Sequence, residues 1–420
     1  MCHSFFVLHL YCKSIMNIYE RQKDFLSVIE KLDISSTLFK NAQSKYEALA
    51  TFLGEHGIEA NIYPQGSFAL GTVTRPIKKA NSPSYDLDCI CQVSGTRSEY
   101  TPSGLRDLIE NTLRDNDTYD GKLVKWEECF TIEYANINGV SFSIDLVPAV
   151  SDSDDEKAAL ITKGLSPQII DTSIVIPRQN SEKSYRWISN NPKGFKKWFD
   201  EINAPFLKYA PKYAERGIFE SASVEELPNE VRRSALQRVI QILKYQRDTY
   251  YSTLKQSDGE EIKPISALIT TMTARIASNY VKKDCTVFEL LRYVLDRLEM
   301  CIHQTEMTFE QFALKYDNSP VLSYKNGKWV VPNPADPDDN LADKWNSNNK
   351  IPKTFFNWVT TIKKDIFEVM AQNDDNQFGV FMENSFADYD SNNPIIKKYR
   401  KARVATPINA STASKPYHCS

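Results

Sequence analysis

Residues 60–91 read ANIYPQGSFALGTVTRPIKKANSPSYDLDCIC, and two pieces of this stretch decide the fold. Gln65-Gly66-Ser67 has the composition of a tight turn able to cradle a phosphate on its backbone. Tyr85-Asp86-Leu87-Asp88-Cys89 sets two carboxylates two residues apart in an apolar run. On a strand, side chains alternate faces, so Asp86 and Asp88 share one side while Tyr85, Leu87 and Cys89 take the other. Like charges so placed repel, and a divalent cation between them removes the conflict.

The next strong signal downstream is a hairpin. Thr131-Ile132-Glu133-Tyr134 leads into Asn138-Gly139, a type I′ turn pair, and residues 140–147 return as Val-Ser-Phe-Ser-Ile-Asp-Leu-Val. Phe142, Ile144 and Leu146 share one face of that strand; Ser143, Asp145 and Val147 share the other. Asp145 is therefore a third acid on a strand, ahead of Pro148.

Around this centre the pattern is ordinary for a globular protein. Apolar periodicity predicts helices from Asn17 to Leu32 and, after a Ser35-Ser36 cap, from Leu38 to Leu53, with Gly54 and Gly57 at its end. Ala60 to Tyr63 is a strand entering the glycine turn. Thr101-Pro102 opens a helix to about Asp115, threonine capping and proline first. Residues 152–156, Asp-Ser-Asp-Asp-Glu, read as a solvated loop, Ile174 to Ile176 as a strand, and Asn191-Pro192 as the start of a helix with Phe195, Trp198 and Phe199. Beyond residue 200 the strands stop. Helices are predicted over Val231–Tyr250, Ile265–Val281, Thr286–Cys301 and Thr354–Met370.

Composition narrows the class of function. A chain of 420 residues has room for two or more domains, and 41% hydrophobic with 25% charged residues excludes wholesale disorder. The 51 basic and 54 acidic residues leave a net charge of -3, which suits small charged substrates better than a long nucleic acid. Eight cysteines include no C-x-x-C pair and the five histidines have no zinc spacing, so a zinc module and a disulfide scaffold are both disfavoured and a reducing cytoplasm is expected. The patch Phe5-Phe6-Val7-Leu8 lacks a basic flank and is too short for a bilayer; Met16 reads as the natural start, and no membrane association is expected.

A turn, a carboxylate pair and a third acid on a neighbouring strand are the parts that nucleotidyl transfer needs. Two cations held by carboxylates activate a hydroxyl and stabilise charge on the leaving pyrophosphate, while the turn takes the triphosphate. Taken singly, Asp-x-Asp and Gly-Ser are commonplace; the third acid inside an apolar strand makes chance the minority explanation. The helix from Val231 adds a polar stripe of Arg233, Gln237, Gln241, Lys244 and Asp248, with Ala235, Val239, Ile242 and Leu243 on its apolar faces. Arg232, Arg238 and Arg247 read as its solvated side, and periodicity alone does not single out Lys244.

The segments YPQGSFALGT, YDLDCICQV, SFSIDLVPA, SALQRVIQILKYQRD, KPISALITTM and VPNPADPDDNLADKW occur in order between residues 63 and 345. Together they resemble the cyclic GMP-AMP synthase/DncV-like nucleotidyltransferases, the CD-NTases of bacterial anti-phage CBASS systems, and more remotely the oligoadenylate synthases. The resemblance implies an α+β fold, a polymerase-β-like mixed-sheet core with a helical second lobe and the active site in the cleft between them. It implies that Gln65, Gly66 and Ser67 bind the donor triphosphate and that Asp86, Asp88 and Asp145 hold two Mg²⁺ ions, Mn²⁺ serving as an alternative, with Asp145 nearest the attacking hydroxyl. Lys244 and Ser266 match triphosphate contacts, and the 333–340 segment matches a loop near the nucleotide, with Asp336 and Asn340 chosen within it.

The implied activity joins ATP, GTP or pyrimidine nucleoside triphosphates into a cyclic di- or trinucleotide that activates a separate effector. The animal relatives' zinc insertion has no counterpart among these histidines and cysteines, so duplex DNA is not expected as an activator; a regulatory or conjugating partner protein is. The expected divisions are an N-terminal extension over residues 1–16 without fixed order, a transferase core over 17–200, a helical lobe over 201–371 and a mobile tail over 372–420. A transferase acting on an RNA or protein acceptor, and a silent nucleotide-binding module, are the rival readings.

Overall fold

The computed structural model describes residues 18–77, 83–208, 233–254, 262–316, 321–372, 374–386 and 393–400. One seven-stranded sheet contains β1 (Ala60–Pro64), β2 (Ser84–Thr96), β3 (Leu123–Lys125), β4 (Phe130–Ile137), β5 (Val140–Ser151), β6 (Ile174–Gln179) and β7 (Tyr185–Asn190). Its main path runs β1-β2-β5-β4-β3, with β6 pairing the end of β5 and β7 beside β6. Only β2 and β5 run parallel, so the sheet is mixed. A parallel pair needs a crossover. Here α4 (Pro102–Arg114) and α5 (Asp117–Asp120) begin it, and β3 and β4 complete it. Asn138 and Gly139 both have positive φ, 53° and 77°, so the predicted I′ turn between β4 and β5 forms.

Alternation then sorts the strands. Leu87 and Cys89 of β2 and Ile144 and Leu146 of β5 are fully buried against α2 (Ser36–Glu55) and α4, in one hydrophobic core. The other face carries the acids first and turns apolar further along, where Ile90, Val147 and Ala149 pack with Tyr63, Ile174 and Ile176. A short α3 (Gly66–Ala69) follows β1, while α6 (Asp154–Thr162) and α7 (Pro167–Ile170) link β5 to β6.

The second lobe consists of α8 (Pro192–Leu207), α9 (Ala235–Thr253), α10 (Ser266–Ser278), α11 (Val287–Met300), α12 (Phe309–Tyr316), α13 (Lys350–Ala371), α14 (Asp375–Phe386) and α15 (Pro394–Tyr399). Two small hairpins, β8 (Ser323–Lys325) with β9 (Lys328–Val330) and β10 (Pro332–Asn333) with β11 (Asp336–Asn340), precede α13. Helix α9 runs through the middle, its Leu236, Val239, Ile240, Ile242 and Leu243 all fully buried.

Packing divides the chain differently from sequence order. The helix over residues 18–29, here α1, lies in the helical core: Phe25 stacks on Phe381, tilts against Phe288 and meets Phe386 edge-on. Phe199 and Phe206 of α8 belong to the same core. The boundaries drawn along the chain at 17 and 200 therefore do not coincide with the packed units.

The expected mobile tail from residue 372 also needs correcting over residues 375–386 and 393–400. There α14 and α15 bury Phe378, Met382, Ile396 and Tyr399. They also grip α1: Arg21 donates to Met370 O and pairs with Asp375, and Lys398 and Tyr399 bond Asp24. The Asn- and Asp-rich composition hid apolar residues at helical spacing. Residues 1–17 and 401–420 lie outside the described residues.

The acidic run at 152–156 is likewise not a loop. Ser153 caps α6, whose first turn gathers Asp154, Asp155 and Glu156 where an anionic side chain suits the helix end, and Asp152 is buried against Arg97 at 3.3 Å.

Candidate active site

The register of the parallel strands assembles the acids. Asp88 of β2 sits directly beside Asp145 of β5, and Asp86 lies two residues back on the same face. One ligand oxygen from each of the three carboxylates falls within 4.8 Å of the others. Asp86 is exposed; Asp88 and Asp145 are half-buried. Burial, followed by the charges of Asp86 and Asp145, pushes the Asp88 carboxyl up to about 8. Burial also raises Asp145, against the hydrogen bond it accepts from the Thr131 hydroxyl at 2.5 Å. Three converging carboxylates that repel one another are a hard-oxygen donor set for Mg²⁺ or Mn²⁺.

The glycine turn is held against these acids. The backbone N–H of Gln65 donates to Asp88 O at 2.8 Å, continuing the β1–β2 ladder into the turn. Gly66 then adopts φ +60°, and a Cβ there would lie 2.5 Å from Asp88 Oδ2. Both facts demand glycine. Its absent side chain lets the turn and the Asp88 carboxylate occupy adjoining space.

Helix α9 supplies the opposite wall, and its polar stripe is not solvated. Gln237 Nε2 donates to Leu70 O at 3.0 Å, Gln241 Nε2 to Val73 O at 2.9 Å, and Lys244 Nζ to Thr72 O at 3.2 Å. These three side chains are buried. They clamp residues 70–73, the run that leaves the glycine turn, onto the helical lobe. Gly71, at φ +63°, passes so close that a Cβ would lie 2.5 Å from the Arg233 guanidinium and 2.6 Å from Gln237. Gln237 also closes a capping box with Ser234, so one side chain starts the helix and docks the loop. Lys244 also faces Asp86 and Asp88, and burial drops its ammonium to about 8.

The solvated reading of Arg238 and Arg247 is overturned. Arg238 pairs with Asp33 at 2.9 Å. Arg247 is buried, donating to Pro264 O and Ser266 Oγ at 3.0 Å each and to the Asp248 carboxylate at 2.9 Å. It ties α9 to the start of α10. Arg232 lies outside the described residues.

A cleft of about 720 Å³ opens between the lobes. Gln65, Gly66, Ser67, Asp86, Asp88, Lys244 and Ser266 line it. Asp145 is not among the lining residues; it stands beside Asp88 on the neighbouring strand. Asp336 is placed elsewhere: it is buried, accepting from Ser189 and from the Asp338 backbone, and Asn333 lines the cleft instead. Asn340 also has a scaffold part, bonding Val331, Ala342 and Trp329 backbone groups. Sequence reasoning missed Arg247, Asp248 and Lys263 as cleft residues. The signal was there for two of them, since Lys244, Arg247 and Asp248 follow i, i+3, i+4 spacing on one helix face.

Residues 19–203 match the family described as Second Messenger Oligonucleotide or Dinucleotide Synthetase domain, SMODS. This region is a SMODS domain. The chain is accordingly a nucleotidyltransferase, a synthetase of oligonucleotide or dinucleotide second messengers, and the acid triad fits its catalytic site. It is 24% identical over 385 residues to a c-di-GMP synthase of Roseivirga ehrenbergii, covering 90% of this chain and 85% of that one. The CD-NTase CdnG of Bradyrhizobium diazoefficiens, solved with GTP, superposes with TM-score 0.57 at 18% identity, covering 90% of this chain and 98% of that one. The CdnC of E. coli MS115-1, solved with ATP, gives TM-score 0.54 at 14% identity, covering 87% and 96%. These solved relatives share the CD-NTase fold, a mixed sheet with a helical second lobe, as expected from sequence. Among the described residues no helix is long and apolar enough to cross a membrane.

Proposed function

We propose that this SMODS synthetase joins two or three nucleoside triphosphates, ATP or GTP among them, into a cyclic second messenger for anti-phage signalling. The observation that carries the proposal is the Asp86–Asp88–Asp145 cluster set against the Gly66 turn at the mouth of the cleft. Divalent cations bound there would activate the attacking hydroxyl and offset charge on the leaving group. Gln65, Gly66 and Ser67 hold the donor triphosphate from the sheet side, and Lys244 and Ser266 from the helical side. The acceptor hydroxyl gives its proton to the Asp145 carboxylate and bonds the donor α-phosphorus; the bond to the bridging oxygen breaks and pyrophosphate leaves. Asp145, oriented by Thr131, receives the attacking hydroxyl. A second transfer within the linear product closes the ring.

Guanine and adenine nucleotides are favoured as substrates because the relatives include a c-di-GMP synthase and enzymes solved with GTP and with ATP. A regulatory protein partner is supported by the CdnC of E. coli MS115-1, solved also as a complex with HORMA-deltaN (TM-score 0.52). Incubation with labelled triphosphates and Mg²⁺, followed by phosphatase, tests the reading. A phosphatase-resistant small product is expected, because a ring has no terminal phosphate. Label found only on added RNA or protein would overturn it.

A further inference from the structure

Transfer between two nucleotides needs two positions, and the acids divide the space. The cleft is lined by Asp86 and Asp88 on the donor side of the cluster. Asp145 converges with them and is the acid that adjoins β4 and the turn that precedes it. Thr131 of β4 pairs with Asp145 across the ladder, and its hydroxyl donates to Asp145 Oδ1 at 2.5 Å. The indole N–H of Trp126 in turn donates to Thr131 Oγ1 at 2.9 Å. Trp126 is 58% exposed, whereas the other five tryptophans are buried or half-buried.

The turn bearing this exposed ring is unusually fixed. Trp126 N–H bonds Cys129 O at 3.0 Å, and Gln179 N–H bonds Glu127 O at 2.9 Å. Beneath it lies Arg106, 1% exposed and stacked 4.5 Å from the Phe130 ring. Its guanidinium donates to three carbonyl oxygens of the turn, those of Trp126, Glu127 and Cys129. A large aromatic left in water on a rigid support, its polar edge two hydrogen bonds from a catalytic carboxylate, is a preorganised stacking surface.

We propose that Trp126 forms the acceptor subsite: the base of the acceptor nucleoside triphosphate stacks on its indole, presenting the sugar hydroxyl to Asp145. The proposal rests on the transferase reading above. It explains why an aromatic stays exposed beside the third acid, and a stacked base is recognised by its π-face, so any of the four bases is admitted.

Calorimetric titration with non-hydrolysable GTP and ATP analogues in Mg²⁺ tests it, with thermal melting to verify folding. Two binding events are expected in the wild type. Trp126→Ala should weaken one by about tenfold or more and leave the other within about twofold, while Trp126→Phe, which keeps a ring but loses the N–H to Thr131, should retain most of the affinity. Equal loss at both events, no loss at either, or a Trp126→Phe variant as poor as Trp126→Ala would overturn the stacking role. Product formation, measured in parallel, decides the transferase reading separately, so its failure cannot be mistaken for that of the subsite.

Discussion

The two walls of the cleft use polar side chains in opposite ways. On the sheet wall, Asp86, Asp88 and Asp145 converge with like charge, and the fold leaves their repulsion standing. On the helix wall, Gln237, Gln241 and Lys244 are each spent on a backbone carbonyl of residues 70–73. One wall is held ready for ligands; the other is a scaffold that sets where the first wall's turn lies. Lys244 belongs to both, since it bonds Thr72 O and faces the acids across the gap.

If that contrast holds, damage to the sheet wall should abolish chemistry without harming the fold. Asp86→Ala with Asp88→Ala should reduce labelled product to background while the melting temperature stays the same or rises, because mutual repulsion is relieved. Retained synthesis would remove the acids from the mechanism. Gly66→Ala adds a methyl into the Asp88 carboxylate at a positive φ, so a loss of synthesis of about a hundredfold or more is expected from displaced donors and ligands alike.

Damage to the helix wall should do the reverse. Gln241→Ala leaves Val73 O without its partner, and about 1–3 kcal/mol of stability should be lost in denaturant unfolding. Activity should fall less than for Gly66→Ala. A larger loss in synthesis than in stability would show that the scaffold wall takes part in chemistry.

The smallest effect expected is in pH dependence. Without an ion, the Asp88 carboxyl sits at about 8, above its unfolded value, so its protonated form favours folding at low pH and this contribution is lost as pH rises through 8. A bound cation selects the ionised form. The Mg²⁺-induced rise in melting temperature should therefore grow from pH 6 to pH 8, and a rise that is flat with pH would detach Asp88 from the ion site.

Much of the sheet wall was legible in the chain. Period-two alternation and the Asn138-Gly139 turn put Asp86, Asp88 and Asp145 on predictable faces, because in a strand the side-chain direction follows from position alone. The helix wall was legible only in outline. The stripe on α9 was visible, but a polar stripe looks the same whether it meets water or the carbonyls of another segment, and Arg247 was misread for that reason. Asp336 was misplaced because motif order does not say which side of a hairpin faces a cleft.

By itself, the sequence determined the kind of chemistry: three acids, a glycine turn and their strand faces, all set by local geometry over a few residues. Only the tertiary structure decided what depends on long-range packing. It moved α1 and α8 into the helical lobe, closed the carboxy-terminal helices onto α1, turned the stripe of α9 inward, and linked exposed Trp126 to Asp145 through Thr131. Such contacts join residues far apart in the chain, and no local periodicity encodes which distant partner a polar side chain will meet.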